Sequence, residues 1–534
     1  MATQSNSIPG SGYGSPYVDS LIWGCGWTGG APVVINYFFG EGYVPLSDSS
    51  LGTDFTGAAW SGGEKSAFGA AVAQYEAVCN VDFQQAGDAG SADIVWWLAP
   101  ESAMGAGSLG MHEVPDNSWS PIYGYFNYED PTWQYLDQGQ YGFITVIHEL
   151  GHGMGLAHPH DGGDHSDATV FPGVRGPWST GTYGLNQGIW TTMSYNDGWD
   201  KAPSASYEYG WQGTLMALDV TSLQEIYGAN MATAASDDDY QLPDTLASGT
   251  FWECIWDPGG VDTISNDGSS IACTINLNEA PLVGANAGGY VSAVKDIVGG
   301  YTIAHGAAIE NAVGGSGNDT LIGNAADNVL DGGAGRDVMS GGAGDDIYYV
   351  DATRETVTEA SGAGIDTVYS TITYTIGRNV ENLVLIDGAA INGTGNAADN
   401  FLMGNDTANL LSGGKGNDVL IGTEGPDRLT GGRGMDAFIY LSVSDSPAGF
   451  GARDMITDFR SASGDRLDLS AIDANTLAAN DQAFSFIGAA VFSEAGQLRF
   501  SARILSGDTD GDGAADLEIQ LVGVSSFDVT ALVA

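Results

Sequence analysis

A nine-residue period of glycine and aspartate runs through the second half of this 534-residue chain. Each repeat joins a Gly/Asp turn to a short strand with an inward-pointing apolar residue, which is the pattern of a parallel β-roll. The repeats begin at Gly314, Gly323, Gly332 and Gly341 and, after an interruption, at Gly395, Gly404, Gly413, Gly422 and Gly431. The interruption, residues 351–393, has strand-like runs and is predicted to continue the roll. This half is therefore predicted to be an all-β parallel β-roll.

The turns of the repeats have the chemistry of calcium sites. Glycine allows a tight backbone that offers carbonyl oxygens, and an aspartate at the sixth place adds a carboxylate suited to a hard cation. The predicted calcium ligands in the repeats are Asp319, Asp337, Asp346, Asp418, Asp427 and Asp436. Asn328, Asn400 and Asn409 occupy the sixth place in three repeats, where weaker or absent sites are expected.

A preceding run, Trp256–Asp262, adds candidate calcium ligands before the first repeat. These are Asp257, Gly259 and Asp262. Farther along, Asp508–Asp516 begins like an EF-hand loop but lacks a glutamate at the twelfth place, so a surface turn and a calcium loop both remain open.

The charge balance of the chain points to cations as its partners. Asp and Glu number 67 against 15 Lys and Arg, which gives a formal net charge of −52. Such a surface argues against binding to nucleic acid or anionic membranes. Because the carboxylates of the turns repel one another, the roll is expected to be disordered until calcium binds. No apolar run is long enough to predict a membrane span.

A histidine motif in the first half predicts a second kind of metal site. His148 and His152 are four residues apart, so on a helix they share one face and can bind the same ion. Glu149 lies beside them as a candidate general base, and two glycines then allow the chain to turn and bring in His158. Three histidines leave one position of a zinc ion open, as catalysis requires. The shorter His-Glu-x-x-His pattern can be ordinary surface, but the longer pattern is far more specific.

The pattern around this motif predicts an α+β domain. Apolar spacing indicates a strand at Ala31–Phe39, a helix at Ser66–Cys79 and strands at Asp82–Phe83 and Ala92–Leu98. The histidine helix follows, and a last helix at Leu215–Tyr227 ends at a glycine. This order is expected of a sheet that backs a long helix.

The loop that follows His158 has further polar residues. His160, Asp161, Asp164, His165 and Asp167 could be metal ligands, but a flexible acidic loop is the commoner interpretation.

The four cysteines allow two disulfides. Cys254 and Cys273 are close in sequence across a Gly-rich turn, and Cys25 with Cys79 would form the other pair. None lies in a Cys-x-x-Cys arrangement, so redox catalysis and a zinc knuckle are not expected.

The segment from His148 to His158, followed by Thr192–Tyr195, resembles the zinc helix and Met-turn of metzincin metalloproteases, and specifically the serralysin group. Pro159 and the closing segment Leu218–Asn230 favour that group. The resemblance implies a catalytic domain with a twisted sheet and a long zinc-binding helix, followed by an RTX calcium-binding β-roll.

The resemblance also implies a role for each site residue. His148, His152 and His158 would bind zinc, and Glu149 would be the base. Met193 would form a floor beneath the metal, whereas Tyr195 would be a mobile further zinc ligand that stabilises the oxyanion.

The domain bounds expected from these features follow the chain. They are a short N-terminal extension or propeptide at 1–16, the catalytic domain at 17–235, the calcium-binding roll at 236–435 and a C-terminal β domain at 436–534. Residues 1–16 do not have the pattern of a secretory signal peptide. The resemblance places a type I secretion signal in the C-terminal domain.

The expected function is a secreted, extracellular zinc endopeptidase that is stabilised by calcium and hydrolyses peptide bonds of extracellular proteins. Its expected partners are protein and peptide substrates and the type I secretion apparatus, and the chain is expected to be a monomer. The alternative from another class is a catalytically inactive, calcium-dependent extracellular binding or surface protein. Another metzincin subgroup with a β-roll is a third interpretation, against which the Met-Ser-Tyr turn and Pro159 argue.

Overall fold

A computed structural model describes residues 2–161, 163, 167, 169–386, 388–389 and 391–534. The chain divides into two compact units, Met1–Asn311 and Ala312–Ala534. The domain bounds given above remain predictions of the sequence. Asp164 and His165, two of the candidate loop ligands, lie outside the described residues. Within the described ranges, no helix is both long and apolar enough to cross a membrane.

The described α-helices and the first fifteen strands lie before residue 304. The α-helices are α1 (Pro16–Asp19), α2 (Gly62–Val78), α3 (Glu101–Met104), α4 (Tyr141–Gly153) and α5 (Ala217–Tyr227). The strands are β1 (Thr3–Ser5), β2 (Gly26–Thr28), β3 (Val33–Gly40), β4 (Gly42–Val44), β5 (Phe55–Gly57), β6 (Val81–Gln85), β7 (Ile94–Ala99), β8 (Gly110–His112), β9 (Ile122–Asn127), β10 (Asp239–Gln241), β11 (Trp252–Ile255), β12 (Thr263–Ser265), β13 (Cys273–Asn276), β14 (Ala293–Val294) and β15 (Gly300–Ile303). Short 3-10 helices cover Leu46–Asp48, Ala89–Ser91, Pro131–Gln134, Thr182–Gly184, Val443–Asp445, Ser461–Ser463 and Val529–Ala531.

A five-stranded sheet in the order β6-β3-β7-β9-β8 organises the first unit. Strands β6, β3, β7 and β9 run parallel, whereas β8 pairs antiparallel with β9 at one edge. The predicted strands at Ala31–Phe39, Asp82–Phe83 and Ala92–Leu98 are confirmed as β3, β6 and β7. The sheet therefore ends, on the side of β8, in an antiparallel strand of three residues.

Helix α2 packs on this sheet through a cluster of aromatic rings. The ring of Phe68 lies 4.9 Å from that of Trp96 on β7 and 4.8 Å from that of Phe126 on β9. The helix begins four residues before the predicted start because Ser61 and Glu64 form a capping box: the Ser61 hydroxyl accepts from the Glu64 N–H, and the Ser61 N–H donates to the Glu64 carboxylate. Apolar spacing alone could not show this polar first turn.

The predicted disulfides are wrong, because all four cysteines are buried thiols. Cys254 lies on β11 opposite Thr302 of β15, while Cys273 lies on β13 opposite Val294 of β14. Their closeness in sequence does not bring them together, since β11 and β13 belong to different sheets.

The other predicted pair is also replaced by local contacts. The Cys79 thiol, at the end of α2, donates to the Tyr75 carbonyl at 3.3 Å. Burial raises the pKa values of Cys25 and Cys79 far above the usual range, so these thiols behave as small apolar core residues.

Most of the later strands stack as the coils of a roll. The later strands are β16 (Asn311–Val313), β17 (Thr320–Ile322), β18 (Val329–Asp331), β19 (Val338–Ser340), β20 (Ile347–Val350), β21 (Thr356–Val357), β22 (Thr367–Ser370), β23 (Tyr374–Thr375), β24 (Asn382–Leu385), β25 (Gly393–Thr394), β26 (Phe401–Met403), β27 (Leu410–Lys415), β28 (Val419–Ile421), β29 (Arg428–Arg433), β30 (Ala437–Ile439), β31 (Asp454–Ile456), β32 (Arg466–Asp468), β33 (Ser485–Phe486), β34 (Gln497–Ser501), β35 (Ile504–Asp508), β36 (Leu517–Leu521) and β37 (Leu532–Val533). Near the end of the chain, β34, β35 and β36 instead pair antiparallel.

Parallel pairing between alternate strands confirms the β-roll in the second unit. On one face β18, β20, β22, β24, β26, β28 and β30 pair in that order, so like positions of successive coils lie side by side. The inward positions form a dry stack: Leu330, Leu402 and Leu420 are fully buried. The interruption contributes β22 and β24 to this face, as its strand-like runs predicted.

Candidate active site

Helix α4 holds the histidine motif rigidly inside the first unit. From Gly142 to Gly153 every residue of the helix is buried, and the Tyr75 hydroxyl on α2 donates to the Ile147 carbonyl at 2.6 Å. The chain leaves the helix at Gly155, whose φ is +91°, and a Cβ there would lie 2.2 Å from the Cys25 carbonyl oxygen. Only glycine fits this turn, which directs the chain toward His158.

The three histidines converge on one point. The His158 Nε2 lies 3.1 Å from the His148 Nε2 and 3.0 Å from the His152 Nε2. The opposite ring nitrogens are hydrogen-bonded elsewhere: the His148 Nδ1 to the Thr192 carbonyl at 2.8 Å and the His152 Nδ1 to the Leu156 carbonyl at 2.9 Å. Because a carbonyl only accepts, the Nδ1 atoms of His148 and His152 carry the protons and their Nε2 lone pairs face the centre.

This arrangement fits a zinc ion. Zn–N bonds of about 2.0–2.1 Å in a tetrahedron place the nitrogens roughly 3.3 Å apart, close to the separations observed. Burial, with the nearby His158, lowers the pKa of His148 to about 3 and that of His152 well below its usual value. These two rings are therefore neutral and able to donate lone pairs.

Glu149 lies beside the histidines as the sequence predicted. Its side chain is buried, and burial raises its pKa to about 8 even though the backbone N–H of His112 donates to the carboxylate. A Cβ at Gly110, on the edge strand β8, would approach the Glu149 Cγ to 2.5 Å. Glycine at that place lets the carboxylate lie directly against the edge strand.

Met193 packs against helix α4, whereas Tyr195 lies beside two of the histidine rings. Met193 is fully buried, and a Cβ at Gly151 would approach its sulfur to 2.6 Å, so the methionine packs against the bare backbone of α4. The Tyr195 ring lies 4.7 Å from the His158 ring and 5.8 Å from the His148 ring, with 37% of the residue exposed. The roles of Met193 as a floor and of Tyr195 as a mobile ligand remain predictions of the sequence.

A cavity of about 390 Å³ opens onto these groups. It is lined by Gly110, Met111 and His112 of the edge strand and by Glu149, His152, His158 and Tyr195, among others. An extended chain placed along β8 would therefore pass over Glu149 and the histidines.

Two aspartates support the site from behind: Asp161, which the sequence analysis named only as a possible ligand of the loop, and Asp219, which it did not name. The Asp161 carboxylate lies 2.6 Å from the His158 Nδ1, so one residue of the acidic loop orients the third histidine. Asp219, at the start of α5, accepts from the Thr191 hydroxyl and the Thr192 N–H at 2.6 and 2.7 Å and so fixes the turn before Met193. The contacts of Asp219 could not be predicted, because Asp219 is 28 and 27 residues away from Thr191 and Thr192 in the sequence.

A buried histidine at the end of the edge strand, His112, was also missed. The His112 Nε2 accepts from the Trp96 indole N–H at 3.1 Å, while its Nδ1 donates to the Glu113 carbonyl at 2.7 Å. Burial lowers its pKa to about 4, so the ring is neutral and fixed in one tautomer. His112 thereby fixes the strand whose N–H contacts Glu149.

The predicted calcium ligands of the roll share one geometry. In Asp337, Asp346, Asp418 and Asp427, the Oδ1 accepts the backbone N–H of the residue one coil earlier, at 2.7–2.9 Å. The Oδ2 atoms of these four residues are buried and have no hydrogen-bond partner among the described residues. An orphaned carboxylate oxygen in each coil fits a cation that is bound between turns.

Asp319 and Asp436 belong to the same series of hydrogen bonds between aspartates and backbone N–H groups of neighbouring coils, which we call the ladder. The Asp319 N–H donates to Asp337 at 2.7 Å, and the Asp436 Oδ1 accepts from the Asp418 N–H at 3.0 Å. A further buried residue, Asp454, extends the ladder past the last repeat by accepting from the Asp427 N–H at 2.7 Å.

The candidate site before the repeats gains a ligand that the sequence did not single out. Carboxylate oxygens of Asp238, Asp257 and Asp262 lie within 4.8 Å of one another. Gly259 lies in the same turn, and its N–H donates to Asp257 at 3.3 Å.

Comparison with known proteins finds similarity to serralysins and a related metallopeptidase. A family model described as peptidase M10 serralysin C terminal matches residues 217–373 and 379–533. Serralysin C of Dickeya chrysanthemi is 32% identical over 225 residues, which cover 40% of this chain and 41% of the relative. Serralysin of Photorhabdus laumondii subsp. laumondii is 31% identical over 277 residues, covering 49% and 54%. Metallopeptidase AprA of Pseudomonas marginalis is 33% identical over 195 residues, covering 35% and 38%. The chain thus spans about half the length, or less, of these relatives.

Proposed function

The chain belongs to the peptidase M10 serralysin family, and from that premise we propose that it is a secreted, zinc-dependent endopeptidase. The observation that carries the proposal is the convergence of three imidazole Nε2 atoms, separated by 3.0–3.1 Å, beside the buried carboxylate of Glu149. The expected catalytic domain, 17–235, has a metzincin fold in this proposal.

His148, His152 and His158 would hold the zinc ion. When bound there, zinc supplies Lewis acidity, which acidifies water and polarises a carbonyl group. The hydrogen bonds to the Thr192 and Leu156 carbonyls keep two of the rings in the tautomer that such binding needs.

Glu149 performs the proton transfers. Its carboxylate takes a proton from the attacking water and passes it to the leaving amine as the peptide bond breaks. Burial favours the protonated form of the carboxyl group, which helps it to hold that proton between the two steps.

Tyr195 stabilises the oxyanion that forms on the substrate carbonyl. Its ring lies beside His148 and His158 and is partly exposed, so the hydroxyl can reach a substrate in the cavity and donate to it. Met193 acts only by packing beneath the histidine cluster.

The edge strand β8 would bind the substrate as an added strand. Its residues pair with β9 on one side, and in the five-stranded sheet β8 is the terminal strand. Main-chain groups of an extended peptide can pair with such an edge without regard to sequence. This mode supports cleavage of unfolded segments of extracellular proteins.

Calcium binding by the roll is the second part of the proposal. The orphaned Oδ2 atoms support it, and calcium would neutralise part of the formal charge of −52. The expected route of export is the type I secretion apparatus, with the signal in residues 436–534.

The test is Glu149→Gln in the full chain, with casein as substrate. We expect zinc to stay near one ion per chain while cleavage falls by about 10²–10⁴-fold, because the amide cannot accept the proton. Glu225→Gln, at an exposed position of α5, is the matched control and should cleave like the wild type. Retained cleavage in Glu149→Gln would refute the role of Glu149. Stoichiometric zinc with no cleavage by the wild type would favour the inactive binding protein.

A further inference from the structure

Three buried carboxylates meet where the last repeat of the first array joins the interruption, in which the nine-residue period fails. Carboxylate oxygens of Asp346, Glu359 and Asp366 lie within 4.8 Å of one another. Asp346 and Asp366 are fully buried, and Glu359 is 8% exposed. Three acidic groups in so little water need either protons or a cation.

Two of these side chains direct an unpartnered oxygen into the cluster. The Oδ1 of Asp346 accepts the Asn328 N–H at 2.8 Å, and the Oδ1 of Asp366 accepts the Asp346 N–H at 3.0 Å. The Oδ2 of each is buried without a hydrogen-bond partner among the described residues. In the repeats, too, the Oδ1 of the aspartate accepts a backbone N–H and the Oδ2 has no described partner. Asp366 shows the same arrangement outside the repeats.

Glu359 occupies a place that belongs to glycine in the repeats. It stands 18 residues after Gly341, the same separation that joins Asn328 to Asp346 along the ladder. At Gly341 only the backbone can serve as a ligand, whereas at this place in the next coil a carboxylate is present. The loop from β21 to β22 thus brings in an acidic side chain where its sequence no longer follows the turn pattern.

The contacts of Glu359 hold it toward the two aspartates. Its carboxylate accepts the Ala360 N–H at 3.2 Å and a hydrogen bond from the buried Tyr348 hydroxyl, which itself accepts the Gly341 N–H at 2.6 Å. Burial is the main cause that raises the pKa of Glu359 to about 7, and the nearby charges of Asp366 and Asp346 raise it further. No basic side chain is among the groups that set this pKa.

We propose that Asp346, Glu359 and Asp366 form a calcium site in which the last aspartate of the first array is joined by two carboxylates from the interruption, so that the ion closes the array onto the strands that follow. Carboxylate oxygens are the ligands that calcium prefers, and its flexible coordination suits three side chains from two successive coils. The site rests on the proposed calcium binding by the roll.

The experiment counts calcium ions on the full chain after equilibrium dialysis at a series of buffered free calcium concentrations. Glu359→Gln should bind one ion fewer than the wild type at concentrations that saturate the wild type. Glu225→Gln should bind as many as the wild type, and Asp418→Asn, in a repeat, serves as the reference for loss of an array site. Circular dichroism in calcium checks that each variant folds.

The outcomes separate the two proposals. Loss of an ion in Asp418→Asn but not in Glu359→Gln would overturn this site and leave the proposed calcium roll standing. If neither variant loses an ion, both the site and the calcium-binding roll are overturned. If each variant loses an ion, both proposals are supported.

Tyr348→Phe keeps the proposal testable if Glu359→Gln fails to fold. Its phenol contacts Glu359 and would transfer excitation to terbium bound in the site. With terbium in place of calcium, Tyr348→Phe should keep the number of bound ions and lose part of the tyrosine-excited emission. Emission equal to that of the wild type would contradict the site.

Discussion

The histidine cluster and the β-roll prepare their cation sites in opposite ways. In α4, His148 and His152 are neutral, and each has its Nδ1 fixed by a backbone carbonyl. In the roll, each ladder aspartate has one oxygen fixed and the other buried without a described partner, as in Asp418 and Asp427. The first arrangement costs little charge repulsion without its ion, whereas the second buries charges that only a cation or a proton can compensate. This difference supports the proposal that the histidine site would hold its ion for chemistry, whereas the roll would need its ions in order to fold.

One position inside the roll shows what happens when the charge is removed. The Asn409 Nδ2 donates to the Ile391 carbonyl at 2.6 Å and to the Asn405 Oδ1 at 3.0 Å. An amide N–H thus satisfies the oxygens that would otherwise face a cation. The expectation of weaker sites at asparagine places therefore acquires a physical basis.

Removal of calcium should have the largest effect. Each calcium site adds about 2.7 kcal/mol to the free energy of unfolding when the free calcium concentration is a hundred times the Kd of that site. EGTA should therefore abolish the thermal transition of the second unit. Removal of zinc with 1,10-phenanthroline should leave the thermal transition of the first unit in place, because His148 and His152 are already hydrogen-bonded to backbone carbonyls. Scanning calorimetry and circular dichroism would measure both, with magnesium as the ion control. Equal effects of the two chelators would break the comparison.

A pair of opposite substitutions sharpens the role of charge in the ladder. Asp427→Asn should lower the number of calcium ions taken up on folding by about one, since its orphaned oxygen becomes part of an amide. Asn409→Asp should raise that number, because the two amide hydrogen bonds are replaced by a carboxylate that needs a cation. The slope of the melting temperature against the logarithm of calcium concentration measures the change. Parallel slopes in the two variants and the wild type would count against the ladder.

The smallest expected effect tests the packing of the histidine helix. Gly151→Ala should destabilise the first unit by about 1–3 kcal/mol, since its Cβ would press on the Met193 sulfur at 2.6 Å. Gly69→Ala, in α2, meets no atom within 4 Å and should instead stabilise by about 1 kcal/mol through helix propensity. Calorimetry in saturating calcium compares the two. A shift of the same sign in both variants would show that Met193 does not pack as described.

The sequence predicted the parts of this molecule that depend on spacing. The three histidines, Glu149 and the coil register follow from helical and nine-residue periods, and the structure brings the histidines to one point. The roll strands could be predicted for the same reason, because each inward leucine repeats at a fixed interval along the chain.

The parts that depend on distant contacts could not be predicted. Asp219 reaches Thr191 only because α5 begins beside the Met193 turn, and His112 is paired with Trp96 through sheet register. The disulfide prediction failed for the converse reason: neighbours in sequence, Cys254 and Cys273, were placed in different sheets. Glu359 was overlooked because it lies where the repeat breaks.

We expect the histidine site to form without its metal, whereas the roll should need calcium to fold. Hydrogen exchange with mass spectrometry on the protein freed of both metals tests it most directly. Peptides from α4 (Tyr141–Gly153) should keep the protection they have in the loaded protein, while peptides from β27–β29 (residues 410–433) should exchange as unfolded chain until calcium is added. Equal protection of the roll peptides with and without calcium would contradict the account.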